Sequence, residues 1–181
     1  ELARPTGIRQ DAIWADNRHG RVLLLVDRVL SSRRCLIVTG YQDFLSALTI
    51  IIDSAGDLEA LEPNSIRVVF GTNFETSRTI GGAARSVSEE ARAHFLGARG
   101  LAVNDLADLR AILALEAIER GVIAFRAYDS DRASEELGRR PAMLHAKLFV
   151  SETCVLAGSA NFSNAGMRHN LEFMDDVSAY P

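Results

Sequence analysis

An α/β fold, in a single domain of 181 residues, is predicted from two features of the sequence. Short runs of apolar and β-branched residues, typical of buried strands, alternate with longer stretches whose apolar residues follow the helical period. Toward the C-terminus, an alternating strand, a tight turn and a returning strand indicate a β-hairpin. Hydrophobic residues make up 48% of the chain and charged residues 24%, so the sequence can build an ordinary globular core.

The N-terminal elements follow from local patterns. Residues 1–18 mix proline, glycine and polar residues with the only tryptophan, Trp14, which we expect to pack against the fold from an irregular arm. Asp43 can cap the helix that follows it, because its side chain can accept a hydrogen bond from a free backbone N–H. The elements predicted after the arm are a helix over 21–30, a strand over 35–39, a helix over 44–52 and a strand over 66–70.

The middle of the chain is less regular. Residues 71–100 are rich in glycine, serine and threonine and predict a long surface segment, which either shapes substrate access or is a solvated insertion. They contain no phosphate-binding P-loop, because no Gly-Lys-Ser/Thr follows at the required spacing. Ser86 and Glu89 form the capping box of a helix that ends near Gly97 or Gly100. The elements predicted next are a helix over 105–120, a strand over 122–126, a mobile loop over 129–140 and a last strand over 170–174.

The C-terminal hairpin carries the residues with the most chemistry. Side chains alternate between the two faces of a strand, so His145 and Lys147, in the strand predicted over 144–150, point to the same side. An imidazole that can act as a nucleophile therefore lies beside a fixed positive charge. The other side, which is predicted to face the core, carries Leu144, Ala146, Leu148 and Val150.

The returning strand, predicted over 154–157 after a turn at Thr153, brings a second group of residues back beside the histidine. These are Gly158, Ser159 and Asn161. Glycine permits close approach of the backbone, and the hydroxyl and amide can hydrogen-bond an anionic oxygen. The assembly therefore predicts a site for a phosphate.

A phosphodiester could be hydrolysed at such a site without a cofactor. A neutral His145 can attack phosphorus and give a phosphohistidine intermediate, while Lys147 neutralises the non-bridging oxygens. None of these steps needs a metal ion, and the sequence has no second carboxylate-rich cluster that would indicate bound Mg²⁺ or Zn²⁺. We therefore expect no cofactor and no metal.

The motif resembles the HKD motif of the phospholipase D superfamily. The features that match are His-x-Lys, an acidic residue five positions after the lysine, and Gly-Ser-x-Asn. The acidic position is Glu152 where the family usually has aspartate, and the interval from there to Gly158 is one residue shorter than usual. Asn170-Leu171-Glu172 resembles a later segment of the family that carries a carboxylate. The resemblance covers about residues 142–175 and implies a mixed β-sheet flanked by helices.

The resemblance also implies a role for each residue. His145, Lys147 and Glu172 would be catalytic, with Glu172 accepting a hydrogen bond from the histidine ring and orienting it. Gly158, Ser159 and Asn161 would bind the phosphate, and Glu152 would be a supporting hydrogen-bond partner in the turn. Superfamily members use two HKD histidines, one to attack and one to protonate the leaving group. Because this chain contains one His-x-Lys, the resemblance implies a homodimer with a shared site on a two-fold axis.

Composition sets limits on partners and location. The net charge of −4 gives no attraction for nucleic acid over the whole surface, but residues 139–169 carry four basic residues against one acidic residue and could bind a phosphodiester. No apolar run is long enough to span a bilayer and no signal peptide is visible, so no membrane partner is expected. Cys35 and Cys154 are predicted to be buried free thiols, which fits a cytoplasmic protein.

Taken together, these features predict a metal-independent phosphodiesterase, with DNA as the expected substrate. The start at Glu1 without a methionine fits a piece of a longer protein that carries further domains, such as a helicase or a DNA-recognition domain. Two alternatives stay open. A phospholipid phosphodiesterase or phosphatidyltransferase is disfavoured because those family members usually carry two motifs and because no membrane-docking stretch is visible here. A catalytically silent DNA-docking or dimerisation module is suggested by Glu152 and the shortened hairpin.

Overall fold

The computed structural model describes residues 14–16, 21–40, 44–71, 106–128, 130–138 and 144–178. The strands in these ranges are β1 (Trp14–Asp16), β2 (Cys35–Thr39), β3 (Ile66–Gly71), β4 (Ile123–Tyr128), β5 (Lys147–Ser151), β6 (Val155–Gly158) and β7 (Phe173–Asp176). The α-helices are α1 (Arg21–Leu30), α2 (Phe44–Ser54), α3 (Leu106–Glu119) and α4 (Ser130–Leu137), together with a 3₁₀ turn (Leu58–Ala60) and a π-helix (Ala165–His169). Of the described helices, none is both long enough and apolar enough to cross a membrane.

The described strands form one mixed sheet in the order β1-β7-β6-β5-β2-β3-β4. Strands β2, β3 and β4 are parallel, whereas β5, β6, β7 and β1 are joined by antiparallel pairing. Strand β5 connects the two halves, because it pairs antiparallel with β2 on one side and with β6 on the other. The predicted α/β class, with a mixed sheet flanked by helices, is confirmed.

The hydrophobic core lies on one face of this sheet. Ile37, Phe149 and Leu156 are neighbours in register on β2, β5 and β6, and each is fully buried. Helix α1 packs against β5, β6 and β7, and its buried side chains belong to the same cluster. Burying each large apolar side chain of this kind stabilises the fold by about 1.5–3 kcal/mol.

The prediction of which side of β5 faces the core was wrong. Phe149 lies on the same face as His145 and Lys147 and is fully buried, whereas Leu148 and Val150 are half-buried and Ala146 is exposed. Alternation divides the side chains of a strand into two sets, but only the packing of a helix decides which set is covered. His145 and Lys147 are therefore on the core-facing side of the sheet, at the end where they remain accessible.

Two segments predicted to be irregular contain regular structure. Residues 14–16 form the edge strand β1, in which Trp14 pairs with Asp175 of β7. The polar stretch predicted as a loop over 129–140 contains helix α4, which Gly138 follows with a positive φ of 60°. Alanine, glutamate and leucine in α4 are good helix formers, and their propensity outweighs the polarity that suggested a loop.

Other boundaries agree with the sequence in part. Helix α1 and strand β2 match the predictions residue for residue. The strand predicted over 144–150 begins only at Lys147, so His145 precedes it, and the strand predicted over 170–174 begins at Phe173, directly after Glu172. The capped helix predicted after Ser86 lies outside the described residues. So do most of the N-terminal arm and the side chain of Trp14.

Both cysteines are free and buried, as predicted. Cys35 begins β2 and is 2% exposed. Burial raises the pKa of its thiol to about 12, although the charge of Arg67 opposes the shift. Cys154 lies in the hairpin turn beside Asp176, and burial again raises the pKa of its thiol, with a further contribution from that carboxylate. Both groups therefore stay neutral near pH 7 and behave as core residues.

Candidate active site

The motif residues converge at the end of the sheet where β2 finishes and β5 begins. Lys147, the first residue of β5, pairs with Thr39, the last residue of β2, and His145 lies two positions earlier. Gly158 ends β6 at the same edge and pairs with Met174 of β7. Antiparallel pairing of β5, β6 and β7 thus brings the His-x-Lys segment, the Gly-Ser-x-Asn segment and the region of Glu172 to one place.

His145 and Lys147 are in direct contact. Lys147 Nζ lies 2.8 Å from His145 Nε2 and 3.3 Å from the His145 carbonyl oxygen. When Lys147 is charged, its ammonium has only hydrogens to offer, so Nε2 is then the acceptor in this contact. Burial lowers the pKa of Lys147, and the nearby carboxylate of Glu172 partly opposes this shift. The predicted placement of the two side chains on one face is confirmed.

Glu172 is held by groups other than the histidine. Ser159 Oγ donates to one of its carboxylate oxygens, and Asn170 Nδ2 donates to the other at 3.4 Å. Among the described residues no hydrogen bond joins Glu172 to His145, so the predicted ring-orienting contact is not formed in this structure. The carboxylate acts on the site through its charge, because it lies close enough to Lys147 to affect the pKa of that group.

The Gly-Ser-x-Asn segment is fixed by backbone contacts. A Cβ at Gly158 would collide with the Phe173 carbonyl oxygen and lie 2.9 Å from Met174 Cα, so only glycine lets β7 approach β6 here. Ser159 then bonds to Phe173 twice, through its own N–H (3.0 Å) and by accepting the Phe173 N–H at Oγ (3.1 Å). Because its one hydroxyl proton is donated to Glu172, Ser159 is a support for the carboxylate in this arrangement.

Asn161 is half-buried next to this support. The Ser163 backbone N–H donates to the Asn161 backbone carbonyl oxygen at 2.8 Å. Gly166 packs so closely that a Cβ there would lie 2.9 Å from the Asn161 backbone nitrogen. The π-helix over 165–169 is thereby pressed against the asparagine backbone. Irregular helices of this type are frequent at functional sites.

Glu152 lies at the other end of β5, in the exposed turn that joins it to β6. Among the described residues no hydrogen-bond partner is seen for it, so its supporting role in the turn stays a prediction. Ser151 supports the turn, since its hydroxyl accepts the backbone N–H of Cys154 at 3.2 Å and of Thr153 at 3.4 Å. Glu152 is five positions after Lys147, which along an extended strand is a distance of about 16 Å.

Two residues that the sequence identified only as the end of a strand also contact the site. Thr39 Oγ1 accepts a hydrogen bond from the Phe162 N–H at 3.1 Å. Gly40 lies against His145, and a Cβ at this glycine would be 3.3 Å from His145 Nδ1. In the sequence, the only sign of this role was that Gly40 directly follows a buried strand, and that position did not indicate that His145 would lie against it.

Arg168 and His169 are exposed in the π-helix. Arg168 lies 3.9 Å from Asp53, and His169 Nε2 lies 3.3 Å from Asn164 Nδ2. Arg139 and Arg140, which contribute half of the predicted basic patch, are outside the described residues. No three His, Cys, Asp or Glu side chains in the described ranges are clustered so that they could hold a metal ion.

Solved structures that are similar to this chain include NucT and Nuc. NucT from Helicobacter pylori has 11% sequence identity and a TM-score of 0.49, over 91% of this chain and 83% of that chain. Nuc from Salmonella typhimurium, described as a phospholipase D family member, has 14% identity and a TM-score of 0.44, over 91% of this chain and 80% of that chain. No protein-family model matches the chain, and no curated protein matches it.

Proposed function

We propose that the chain is a metal-independent phosphodiesterase that cleaves DNA through a phosphohistidine intermediate. The observation that carries this proposal is the 2.8 Å contact between Lys147 Nζ and His145 Nε2, with the Glu172 carboxylate close by. With Lys147 charged, the Nε2 lone pair, which can act as a nucleophile, lies beside the cation that would receive a phosphate oxygen. His145 is exposed, so a substrate can reach it from solvent.

Substrate binding would free the nucleophile. In the unbound site the lone pair of His145 Nε2 accepts a hydrogen from Lys147. A phosphodiester is a stronger acceptor because it is charged, so its non-bridging oxygen would draw the ammonium away from the ring. The lone pair of Nε2 would then face phosphorus, and Lys147 would balance the charge that develops on the phosphoryl oxygens.

The chemical step is a double displacement. A bond forms between Nε2 and phosphorus while the bond from phosphorus to the leaving oxygen breaks, and the leaving oxygen takes a proton from a second imidazolium. Water then attacks phosphorus, returns a proton to that second imidazole and releases His145. The negative charge of Glu172 stabilises the cationic phosphohistidine. Hydrogen bonds from Ser159 and Asn170 hold the Glu172 carboxylate in position.

The second imidazolium would be His145 of the partner subunit in a homodimer. Leu171 is 80% exposed and Phe173 is 46% exposed, and both flank Glu172. Large apolar side chains exposed beside a charged site support a contact with a second copy there. We expect light scattering at micromolar concentration to give the mass of two chains, and Leu171→Glu to give the mass of one chain with loss of activity. A wild-type monomer that still cleaves DNA would contradict the shared site.

The function itself is tested by cleavage of labelled single- and double-stranded DNA in excess EDTA. His145→Ala should lower the rate by at least about 10³-fold because it removes the nucleophile. His169→Ala is the matched control, because it removes an exposed imidazole bonded to Asn164 and outside the motif; its rate should stay within about twofold of the wild type. Cleavage that requires Mg²⁺ and survives His145→Ala would mean that the site is elsewhere.

The DNA-cleavage assay and a parallel assay with phospholipid vesicles separate the alternatives. Release of headgroup from phospholipid vesicles, with DNA left intact, would favour the lipid phosphodiesterase. Absence of cleavage of either substrate would favour the silent module. The position of Glu152 supports activity, because its replacement of aspartate and the shortened hairpin both lie at the far end of β5 from His145 and Lys147.

A further inference from the structure

The motif is split between two segments of the chain, and both contact the end of β2. One segment is His145 to Lys147, at the start of β5, and the other follows β6 and contains Asn161. The two segments reach consecutive residues, Thr39 and Gly40. Thr39 is fully buried and pairs with Lys147 in the sheet.

The Thr39 side chain holds the second segment. Its Oγ1 accepts the backbone N–H of Phe162 at 3.1 Å, and Phe162 is the residue directly after Asn161. Phe162 is fully buried, and its ring packs edge-to-face on Phe149 of β5, with centroids 5.8 Å apart. A backbone N–H in such a place needs an acceptor, so the hydroxyl determines where the chain leaves Asn161.

The Gly40 backbone supports the first segment. A Cβ on this residue would lie 3.1 Å from the Leu144 carbonyl oxygen, 3.2 Å from His145 Cα and 3.3 Å from His145 Nδ1. These distances are tighter than side chains normally adopt, so the absence of a side chain lets Gly40 lie against the ring. The Nδ1 side of the imidazole therefore faces β2, while Nε2 faces Lys147.

We infer that Thr39 and Gly40 are positioning residues, which set the two halves of the site against each other. The inference rests on the proposed phosphodiesterase function and adds two residues to it. Thr39 is fully buried, so it acts through Asn161 and not on the phosphate. Thr39 determines the position of Asn161 relative to Lys147, and Gly40 determines the orientation of the His145 ring. A displacement of about 1 Å at such a site is enough to lower a rate about 10²-fold.

Thr39→Val tests the first half of the inference. Valine keeps the shape of threonine and removes the acceptor for the Phe162 N–H, whereas Thr39→Ser keeps the acceptor. We expect Thr39→Val to lower kcat for DNA cleavage by about tenfold or more, and Thr39→Ser to stay within about threefold of the wild type. Ile37→Val, at a fully buried position on the same face of β2, controls for loss of stability alone. If Thr39→Val and Ile37→Val lose kcat equally when compared at the same folded fraction, the inference for Thr39 is overturned.

Gly40→Ala tests the second half by a readout that does not depend on turnover. The ¹⁵N resonances of the His145 ring report which nitrogen carries the proton, and we expect the alanine to shift Nδ1 and to weaken the interaction of Nε2 with Lys147. The Asn161 side-chain amide should shift in Thr39→Val and stay near its wild-type position in Thr39→Ser. Unchanged His145 resonances in folded Gly40→Ala, or an unchanged Asn161 amide in folded Thr39→Val, would overturn the inference.

The cleavage kinetics and the NMR resonances together separate this inference from the proposed function. Titration with inorganic phosphate gives a third readout, in which phosphate should shift the Asn161 amide of the wild type and of Thr39→Ser more than that of Thr39→Val. If the wild type neither cleaves DNA nor responds to phosphate, the proposed function fails, while the resonances of His145 and Asn161 still decide whether Thr39 and Gly40 position them. If Thr39→Val does not fold, Gly40→Ala and the His145 ring decide the matter.

Discussion

The two ends of strand β5 are built in different ways. At the end that carries Lys147, backbones are in close contact through glycines, and the polar side chains of Thr39 and Ser159 bond to fixed partners. At the turn end, Glu152 lies in the wall of an open cleft of about 520 Å³. Charged residues line this cleft, and the Arg34–Glu62 pair in it is 3.4 Å apart with side chains 68% and 78% exposed.

This difference shows where the chain has little freedom to change. Buried hydrogen bonds and backbone contacts have a fixed geometry, and a misplaced atom leaves a polar group without a partner. Exposed charges can rearrange in water, and their interactions are weak and screened by salt. A residue at the turn end, such as Glu152, can therefore be changed without a change at the end that carries His145.

The largest contrast is expected between substitutions at the two ends of β5 itself. Lys147→Met keeps the length of the side chain and removes the charge that would balance the phosphoryl oxygens, so kcat/KM for DNA should fall by about 10³-fold. Glu152→Gln should leave kcat/KM within about twofold of the wild type, since the group is exposed and far from the site. Steady-state cleavage in EDTA measures both. A larger loss in Glu152→Gln than in Lys147→Met would reverse the assignment of the two ends.

The next contrast concerns stability at two glycines. Gly158→Ala would force a Cβ against the Phe173 carbonyl oxygen and separate β6 from β7, so we expect the free energy of unfolding to fall by about 3 kcal/mol or more. Gly56→Ala, in the wall of the cleft, meets nothing within 4 Å, and its effect should stay within about 0.5 kcal/mol. Urea denaturation of both variants gives the comparison. Similar losses would mean that the close contact of β7 with Gly158 is not maintained in solution.

A pH-dependent effect, which is absent below pH 9, is expected at Cys35, which is at the turn end but is buried. Its folded pKa of about 12 lies above the ordinary value of 9.0, so the neutral thiol contributes stability that is complete below pH 9 and is lost as the pH rises from 9 toward 12. The loss should approach about 1.4 kcal/mol per pH unit in that window. Cys35→Ala cannot ionise, so the difference in unfolding free energy between wild type and variant should be constant up to pH 9 and then fall. A constant difference up to pH 11 would show that the thiol is accessible to water.

The smallest effect is expected at the Arg34–Glu62 pair. Arg34→Ala should lower the free energy of unfolding by less than about 1 kcal/mol, because both side chains are largely exposed. The difference should shrink in 1 M NaCl, where the pair is screened. Thermal unfolding at low and high salt measures it. A loss of several kcal/mol that persists in high salt would mean that the cleft end is as tightly constrained as the site end.

Much of the fold and of the candidate site could be predicted from the sequence. Helix α1 and strand β2 follow from apolar periodicity, which depends only on neighbouring residues. The contact between His145 and Lys147 was predicted from the alternation of a strand and is present, although His145 lies two residues before β5, and the return of Gly158 follows from the length of a hairpin. These are short-range relations, so the order of residues was sufficient to determine them.

Only the tertiary structure decided the remaining features. The covered face of β5 was determined by the packing of α1, and Phe149 became the core residue of that strand as a result. Glu172 received its hydrogen bonds from Ser159 and Asn170 because β7 is in close register with β6. Thr39 meets the N–H of Phe162 across 123 residues of sequence. Contacts of that range depend on the register of the sheet and on packing between elements, which no local pattern specifies.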